Sequence, residues 1–182
     1  MAAIPEPFYC TTEAQRAKCP ELVNENIVFI IERSTNENIV VYEAMMDDDN
    51  LNISNPITVY WQDIDDAYMK KLQAKGQTSF KSALNMVESK MAYGIWPQKT
   101  DKNVYKLILV ALPSKDIELV LVEGKSGKKY PRAQGVISDK KAYIRKIFVE
   151  AKSGLLGPKV IEIRVYGISV DDGSEVTEII KP

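Results

Sequence analysis

The sequence predicts a mainly β fold, either an antiparallel β-barrel of the calycin type or a two-sheet sandwich, with one amphipathic helix packed on it. Three observations support this prediction. Nine segments are rich in β-branched and aromatic residues, short polar or glycine-containing turns separate several of them, and one segment shows a helical apolar stripe. Many short strands at close spacing are typical of antiparallel barrels and sandwiches, and the alternation does not distinguish the two.

The first three predicted strands are IVFIIER (27–33), IVVYEAMM (39–46) and ITVYWQDI (57–64). The polar segment STNEN joins the first two, which indicates a hairpin. The turn DDDNLNISNP leads into the third.

Six further strands are predicted in the second half of the chain. Within them, Ile117, Leu119 and Leu121 alternate with polar or outward positions, and Ile161, Ile163 and Val165 face away from Glu162 and Arg164. The turns GKSG (124–127) and DDGS (171–174) separate neighbouring strands. The predicted strands are 104–113, 116–124, 128–138, 140–151, 159–170 and 175–180.

One segment, Thr78 to Ala92, has the spacing of a helix instead. Thr78 or Ser79 would be its N-cap, and Tyr93-Gly94 would end it. A shorter helix is predicted over 65–75, opened by Asp65. The apolar stripe of the longer helix consists of Phe80, Ala83, Leu84, Val87 and Met91.

The chain is predicted to form a single domain, because 182 residues suit one core and no linker or repeat divides them. Its expected parts are an N-terminal arm (1–26), the first strands (27–64), a helical insert (65–94) and the remaining strands (104–180).

The composition excludes several chemistries. There is no histidine, so neither a histidine-activated serine or cysteine nor a histidine-ligated metal is possible. Two cysteines, Cys10 and Cys19, do not make a disulfide scaffold, and whether they pair stays open. The N-terminus lacks the pattern of a signal peptide and no apolar run approaches the ~20 residues of a membrane span, so we expect a cytoplasmic protein.

Two loop motifs fail on spacing. Counting from Asp48, an EF-hand would need glycine and glutamate where Ile53 and Val59 stand, so the acidic cluster is interpreted as a solvated hairpin turn. The segment GKSGKK (124–129) has two residues between its glycines where a phosphate-binding loop has four, and it is also interpreted as a hairpin turn.

Charge is unevenly distributed along the chain. Residues 125–159 hold ten basic and two acidic side chains, although the whole chain carries a net charge of -1. This basic strand pair would bind an anionic partner such as lipid headgroups, or would pair within the protein with the acidic region 43–66. Nucleic acid is not expected as a partner, because nucleic-acid-binding domains are basic overall. The candidate anionic-surface residues are Lys128, Lys129, Arg132, Lys140, Lys141, Arg145 and Lys146.

Four residues are candidates for a ligand pocket: Arg33, Tyr42, Trp61 and Tyr93. Aromatic side chains with one polar atom commonly line small-molecule pockets, although they also pack in cores. Arg33 ends an otherwise apolar strand, and if it points inward it needs an anion, either a protein carboxylate or a ligand.

Three stretches resemble a known family. They are FIIERSTNENIVVYEA (29–44), NPITVYW (55–61) with KMAYG (90–94), and PKVIEIRVYGISVDDGSEVTEII (158–180). Together they resemble the domain of unknown function numbered 4833, over about residues 27–180. The chain departs from that pattern in its long insert after Trp61 and in its lack of an export signal. The resemblance implies no activity.

The leading functional hypothesis is a non-enzymatic, lipocalin-like binding protein that holds a small apolar or amphipathic ligand in a β pocket. The alternatives are an interaction module that uses the basic strand pair or a sheet edge to bind an acidic protein or to self-associate, and a peripheral binder of anionic lipid. No motif indicates a cofactor or a metal, and an enzyme would have to work through carboxylates, lysine or thiolate.

Overall fold

The computed structural model describes residue 9 and residues 11–182. Within this part of the chain there are thirteen strands, three α-helices and one 3₁₀ turn (Pro20–Leu22). The strands are β1 (Ile27–Arg33), β2 (Asn36–Ala44), β3 (Met46–Asp47), β4 (Asn50–Leu51), β5 (Ile57–Gln62), β6 (Lys81–Ala83), β7 (Ile95–Asp101), β8 (Val104–Leu109), β9 (Ile117–Glu123), β10 (Lys129–Ile137), β11 (Lys140–Lys152), β12 (Lys159–Ser169) and β13 (Glu175–Ile180). The helices are α1 (Glu13–Lys18), α2 (Asp66–Ala74) and α3 (Met86–Met91).

The predicted fold class is confirmed. Nine strands in the order β6-β5-β2-β1-β11-β10-β9-β8-β7 form a sheet that curls into a half-barrel, which is compatible with both a barrel and a sandwich. Neighbouring strands of this sheet are antiparallel except β1 and β11, which run parallel. Each of the nine predicted strands corresponds to an observed strand.

The long strand β11 organises the sheet. Its first half, Lys140 to Ile144, pairs with β10, and its second half, Lys146 to Val149, pairs with β1 on the same edge. Along its other edge it pairs with β12, which in turn pairs with β13. One strand of thirteen residues therefore joins the N-terminal and C-terminal halves of the chain.

The concave face of the half-barrel carries the main core. Alternating residues of β1, β2 and β5 point into it, because successive side chains of a strand face opposite sides. Phe29 and Tyr42 in this core have no exposed surface. Other members are Ile31, Val40, Trp61, Tyr93, Leu107, Leu119, Ile144, Ile147 and Val165.

A second core lies on the other face of β1 and β2. The N-terminal segment covers this face with Tyr9, Cys19 and Leu22, all buried. α1 begins at a capping box in which Thr12 and Gln15 each bind the other's backbone N–H. The sequence prediction of an N-terminal arm contained neither this helix nor its packing.

The helix predicted over Thr78 to Ala92 is wrong in its first half. Residues 81–83 pair with β5 as strand β6, and helix α3 begins only after Asn85. The cause is tertiary: the carbonyl oxygen of Phe80 accepts the N–H of Asp63 at 2.8 Å, which draws this segment onto the sheet edge. The sequence does contain a local start signal for the shorter helix, since Asn85 and Glu88 form a capping box at its N-terminus.

The apolar stripe of that predicted helix also does not form. Phe80 packs against the second core and Leu84 against the main core, so the two lie on opposite faces of the sheet. Val87 and Met91 are exposed. The shorter predicted helix is confirmed as α2, with Asp65 as its N-cap accepting the N–H of Tyr68 at 2.8 Å. Strand β7 was not predicted, because Pro97 interrupts it; a proline in a strand is tolerated at an edge position.

Candidate functional site

An arginine packs against two aromatic rings that contact each other. Arg33 is the last residue of β1, Trp61 is near the end of β5, and Tyr93 follows α3. The guanidinium carbon of Arg33 is 5.4 Å from the centroid of the Trp61 ring and 5.3 Å from that of Tyr93. The two rings meet edge to face, with centroids 5.3 Å apart. We call these three residues the Arg33 cluster.

Tyr42 contacts the Arg33 cluster through the backbone of Tyr93. It has no exposed surface, and its ring stacks on Phe29 with centroids 4.4 Å apart. Its hydroxyl donates a hydrogen bond of 2.7 Å to the carbonyl oxygen of Tyr93. The four residues singled out from the sequence are therefore contiguous, with Tyr42 beneath the other three.

The Arg33 guanidinium has few polar partners. Its Nε atom is buried and has no hydrogen-bond partner. Among residues 11–182, no carboxylate forms an ion pair with Arg33. Two aromatic rings attract the cation, but they leave the buried Nε–H donor without an acceptor, which is costly.

The carboxylate next to Arg33 in sequence is committed elsewhere. Glu32 points to the opposite face of β1, where it accepts a hydrogen bond from Gln15 Nε2 at 3.3 Å and pairs with Lys146 at 3.5 Å. A groove beside α1 is lined by Gln15, Lys18, Glu32, Arg33, Asn36, Glu37 and Ile64. Glu32 is therefore engaged by Gln15 and Lys146 and forms no ion pair with Arg33, although both residues border this groove.

Burial keeps the tyrosines of the site protonated. Desolvation raises the pKa of Tyr42 well above its usual value. It also raises the pKa of Tyr93, although the nearby Arg33 charge acts in the opposite direction. Both phenols are therefore neutral at physiological pH, and Arg33 carries the charge of the cluster.

Gly94 holds Tyr93 in position, and sequence reasoning did not assign it this role. A Cβ atom at Gly94 would lie 1.8 Å from the carbonyl oxygen of Ser89, so no other residue fits without a backbone shift. The N–H of Tyr93 binds the Glu88 carbonyl at 2.7 Å, and the Gly94 carbonyl accepts the N–H of Val110 at 3.0 Å. The Tyr93-Gly94 pair at a predicted helix end was the available signal.

The residues of the basic strand pair do not form one continuous surface. Lys128 and Lys129 lie at the start of β10, whereas Lys140 and Lys141 follow its end. From Lys129 to the end of β10 at Ile137 there are eight steps along the strand, a distance of roughly 26 Å at the usual rise. They therefore cannot bind one small anionic group together.

Two further members depart from the predicted surface. Arg132 is 1% exposed, donates a hydrogen bond of 2.8 Å to the Pro131 carbonyl and packs over the Tyr130 ring, so its assignment to a surface is wrong. Lys146 pairs with Glu32, and Lys128 forms an ion pair with Glu25. These acids lie outside the region 43–66 that was expected to neutralise the basic strands. Arg145 is half-buried on β11.

Both rejected loop motifs are hairpin turns, as predicted. The acidic cluster forms the β3–β4 turn, with Asp48 in the left-handed region (φ 53°) and Asp47 accepting a hydrogen bond from Asn52 at 2.8 Å. GKSG joins β9 to β10, with Gly127 at φ 80°. Each polar group thus has a local structural role.

The structure describes one of the two cysteine thiols. Cys19 is buried, and its Sγ donates a hydrogen bond of 3.5 Å to the carbonyl oxygen of Asp63. Burial raises the pKa of the Cys19 thiol. A thiol with a raised pKa is a poor nucleophile at neutral pH. Cys10 lies outside the described residues, so the question of a pair stays open.

In the part of the chain that the structure describes, no helix is both long and apolar enough to cross a membrane. Comparison with curated proteins and with solved structures gave no match. A family described as "Domain of unknown function (DUF4833)" matches residues 29–179, a range that contains the whole Arg33 cluster. The chain belongs to the DUF4833 family.

Proposed function

We propose that this protein is a non-enzymatic binding module for a small amphipathic ligand, whose anionic group binds Arg33 and whose apolar part lies against Trp61 and Tyr93. One observation carries the proposal. A half-buried arginine is oriented by two aromatic rings, has a buried Nε without an acceptor, and forms no ion pair with residues 11–182.

A carboxylate or phosphate supplies what this arginine lacks. The guanidinium presents a planar fork of N–H donors that matches two oxygen atoms at once. Since the rings hold the guanidinium in place, little side-chain freedom would be lost on binding. The anion would also satisfy the buried Nε donor, which favours the complex over the free protein.

The aromatic residues suggest the remainder of the ligand. Trp61 is 9% exposed and Tyr93 5% exposed, so each presents a small apolar edge beside the charge. Aromatic residues next to one charged group are typical of sites for small amphipathic molecules. Tyr42, with no exposed surface, supports Tyr93 from beneath. The site would lie at the mouth of the β structure, in the lipocalin-like manner.

The test compares decanoate with 1-decanol, which share a chain and differ in the anionic group. Isothermal titration calorimetry of the wild-type protein should give binding of decanoate and at least tenfold weaker binding of the alcohol, because a charged hydrogen bond is worth about 1.5–3 kcal/mol. The variant Arg33→Met should lose this preference.

Arg164→Met is the matched control. Arg164 also packs over an aromatic ring, with its guanidinium carbon 5.5 Å from the Phe148 centroid, but Glu162 pairs with it at 2.5 Å. The Arg164→Met substitution should leave decanoate binding unchanged. Equal binding of decanoate and decanol, or equal loss in both variants, would contradict the proposal.

A further inference from the structure

The hairpin formed by β11 and β12 extends beyond the rest of the sheet. Pairing of β11 with β1 ends at Val149 of β11, and pairing of β12 with β13 ends at Ile163 of β12. The two strands continue together for three more pairs, to Lys152 opposite Lys159. Ser34 forms two hydrogen bonds with the Ala151 backbone, which anchors the base of this projection.

The turn at the end of the hairpin presents two leucines to solvent. Leu155 and Leu156 have relative exposures of 107% and 105%. Just behind them, Val160 and Ile161 are 36% and 37% exposed. Full exposure of two adjacent leucines is unfavourable in water, and contiguous exposed apolar side chains mark interaction sites. We call residues 153–158 the LL tip.

The glycines on either side give the LL tip a defined shape. Gly157 has φ +114° and its N–H binds the Gly154 carbonyl oxygen at 3.1 Å. A Cβ atom at Gly154 would lie 2.9 Å from the Gly157 carbonyl oxygen. The turn therefore requires small residues at both places, and it holds the two leucines together at the outermost point.

The charges around the LL tip are all positive. Between residues 152 and 161 there are two lysines, Lys152 and Lys159, and no acidic residue. Both lysines are exposed. The nearest acids in the hairpin are Glu150 and Glu162, which face each other nearer the sheet, and Glu162 pairs with Arg164.

We propose that the LL tip inserts into the interfacial region of a membrane that contains anionic lipid, with Leu155 and Leu156 among the acyl chains and Lys152 and Lys159 at the headgroups. This goes beyond the proposed function and uses residues of a different part of the fold. Apolar side chains ahead of basic ones are the arrangement of interfacial anchors.

Size and charge favour a membrane over a protein partner. A specific protein interface buries about 1,200–2,000 Å², far more than two leucines at the end of a narrow hairpin can provide. A bilayer surface needs no complementary shape, so a small projecting tip is sufficient. Contact with a second copy would also bring four lysines of two tips together, which is unfavourable.

Flotation with vesicles of phosphatidylcholine and phosphatidylserine (70:30) tests the proposal. The wild-type protein should bind these vesicles and should bind pure phosphatidylcholine vesicles several-fold less. Leu155→Ser with Leu156→Ser should weaken binding at least about tenfold. Lys152→Gln with Lys159→Gln should weaken it by roughly fivefold per lysine and remove most of its salt dependence.

Two variants serve as matched controls. Lys140→Gln with Lys141→Gln removes the same charge at the opposite end of β11, and Met86→Ser with Val87→Ser removes two adjacent exposed apolar side chains on α3. Neither should change vesicle binding. Circular dichroism of each variant checks that the fold is intact.

The depth of insertion gives a second measurement. Leu156→Trp in a Trp96→Phe background leaves the buried Trp61 as the other tryptophan. Lipids brominated near the headgroup end of the acyl chain should quench the emission that the new tryptophan adds, whereas the Trp96→Phe protein without it should not be quenched. Absence of vesicle binding by the wild-type protein, or binding that the leucine substitutions leave unchanged, would overturn the proposal. So would concentration-dependent self-association that disappears with the leucines.

Discussion

The hydroxyl of Tyr42 donates a 2.7 Å hydrogen bond to the main-chain carbonyl of Tyr93, 51 residues later in the chain. This bond joins the centre of β2 to the segment after α3, and it is buried. It determines where the Tyr93 ring meets Trp61 and Arg33. The main core and the candidate site therefore share one polar contact.

Removing that contact should destabilise the protein. Tyr42→Phe leaves the buried Tyr93 carbonyl without its donor, so we expect a loss of about 1–3 kcal/mol in the free energy of unfolding. Urea denaturation measures it. Tyr105→Phe is the control, because Tyr105 is also buried in the main core but its hydroxyl has no hydrogen bond within residues 11–182. Equal losses in the two variants would show that the Tyr42 bond contributes nothing specific.

Replacing Arg33 should abolish ligand binding and leave the free energy of unfolding nearly unchanged. Arg33→Met removes a donor that has no acceptor and retains apolar contact with the two rings, so the free energy of unfolding should stay within about 1 kcal/mol of wild type. Decanoate binding should nevertheless be lost. A loss of several kcal/mol in urea denaturation would instead mean that Arg33 is a structural residue.

Gly94 should tolerate no side chain. In Gly94→Ala the new methyl group would collide with the Ser89 carbonyl, so we expect a loss of more than about 3 kcal/mol and altered fluorescence from Trp61. Gly76→Ala is the comparison: it has φ +76° but no atom within 4 Å, and should cost only about 1 kcal/mol. The reverse order would contradict this account.

The buried carboxyl of Asp63 should destabilise the folded protein more at neutral pH than in mild acid. It is 5% exposed, and burial raises its pKa, while the hydrogen bond from Ser82 at 3.1 Å acts in the opposite direction. Because the folded state holds the proton more tightly than the unfolded chain, stability falls as pH rises through the unfolded and then the folded pKa. The penalty is complete above the folded value.

Asp63→Asn tests this sign. The amide oxygen can still accept the Ser82 hydrogen bond, and no charge is buried, so the variant should be more stable than wild type at pH 7. The difference should shrink as pH falls through the raised folded pKa and should be lost below the pKa of an unfolded aspartate, about 3.9, where the wild-type carboxyl is protonated in both states. Thermal unfolding of both proteins between pH 3.5 and 7 measures it. A gain that is constant with pH would exclude the carboxyl charge as the cause.

Residues 78–92 show where local pattern and tertiary structure disagree. Their spacing is helical, yet residues 81–83 pair with β5 because the sheet edge offered unpaired backbone groups there. A short helix is only marginally stable on its own, whereas pairing with β5 gives backbone donors and acceptors at the sheet edge their partners. The predicted helix survives only from Met86 onward, after its capping box.

The basic residues show the same limit for charge. Ten basic side chains within 35 positions suggested one surface, but the β10–β11 hairpin places Lys128 and Lys129 at one end and Lys140 and Lys141 at the other. The same hairpin buries Arg132, which is 1% exposed. The order of residues in a hairpin does not reveal which side chains the rest of the chain will cover. The LL tip, by contrast, contains the sequence Gly-Leu-Leu-Gly, which is a local signal for an apolar turn.

By itself the sequence determined the β fold class, nine of the strands and helix α2, because alternation and turn chemistry are local properties. It also indicated Arg33, Tyr42, Trp61 and Tyr93 as candidate site residues. Only the tertiary structure decided that Glu32 and Arg33 face opposite sides with different partners, that β1 runs parallel to β11, and that β11 and β12 project beyond the sheet. The reason is physical: register and pairing depend on contacts between residues more than a hundred positions apart, and these contacts decide which charges are satisfied and which apolar side chains remain exposed.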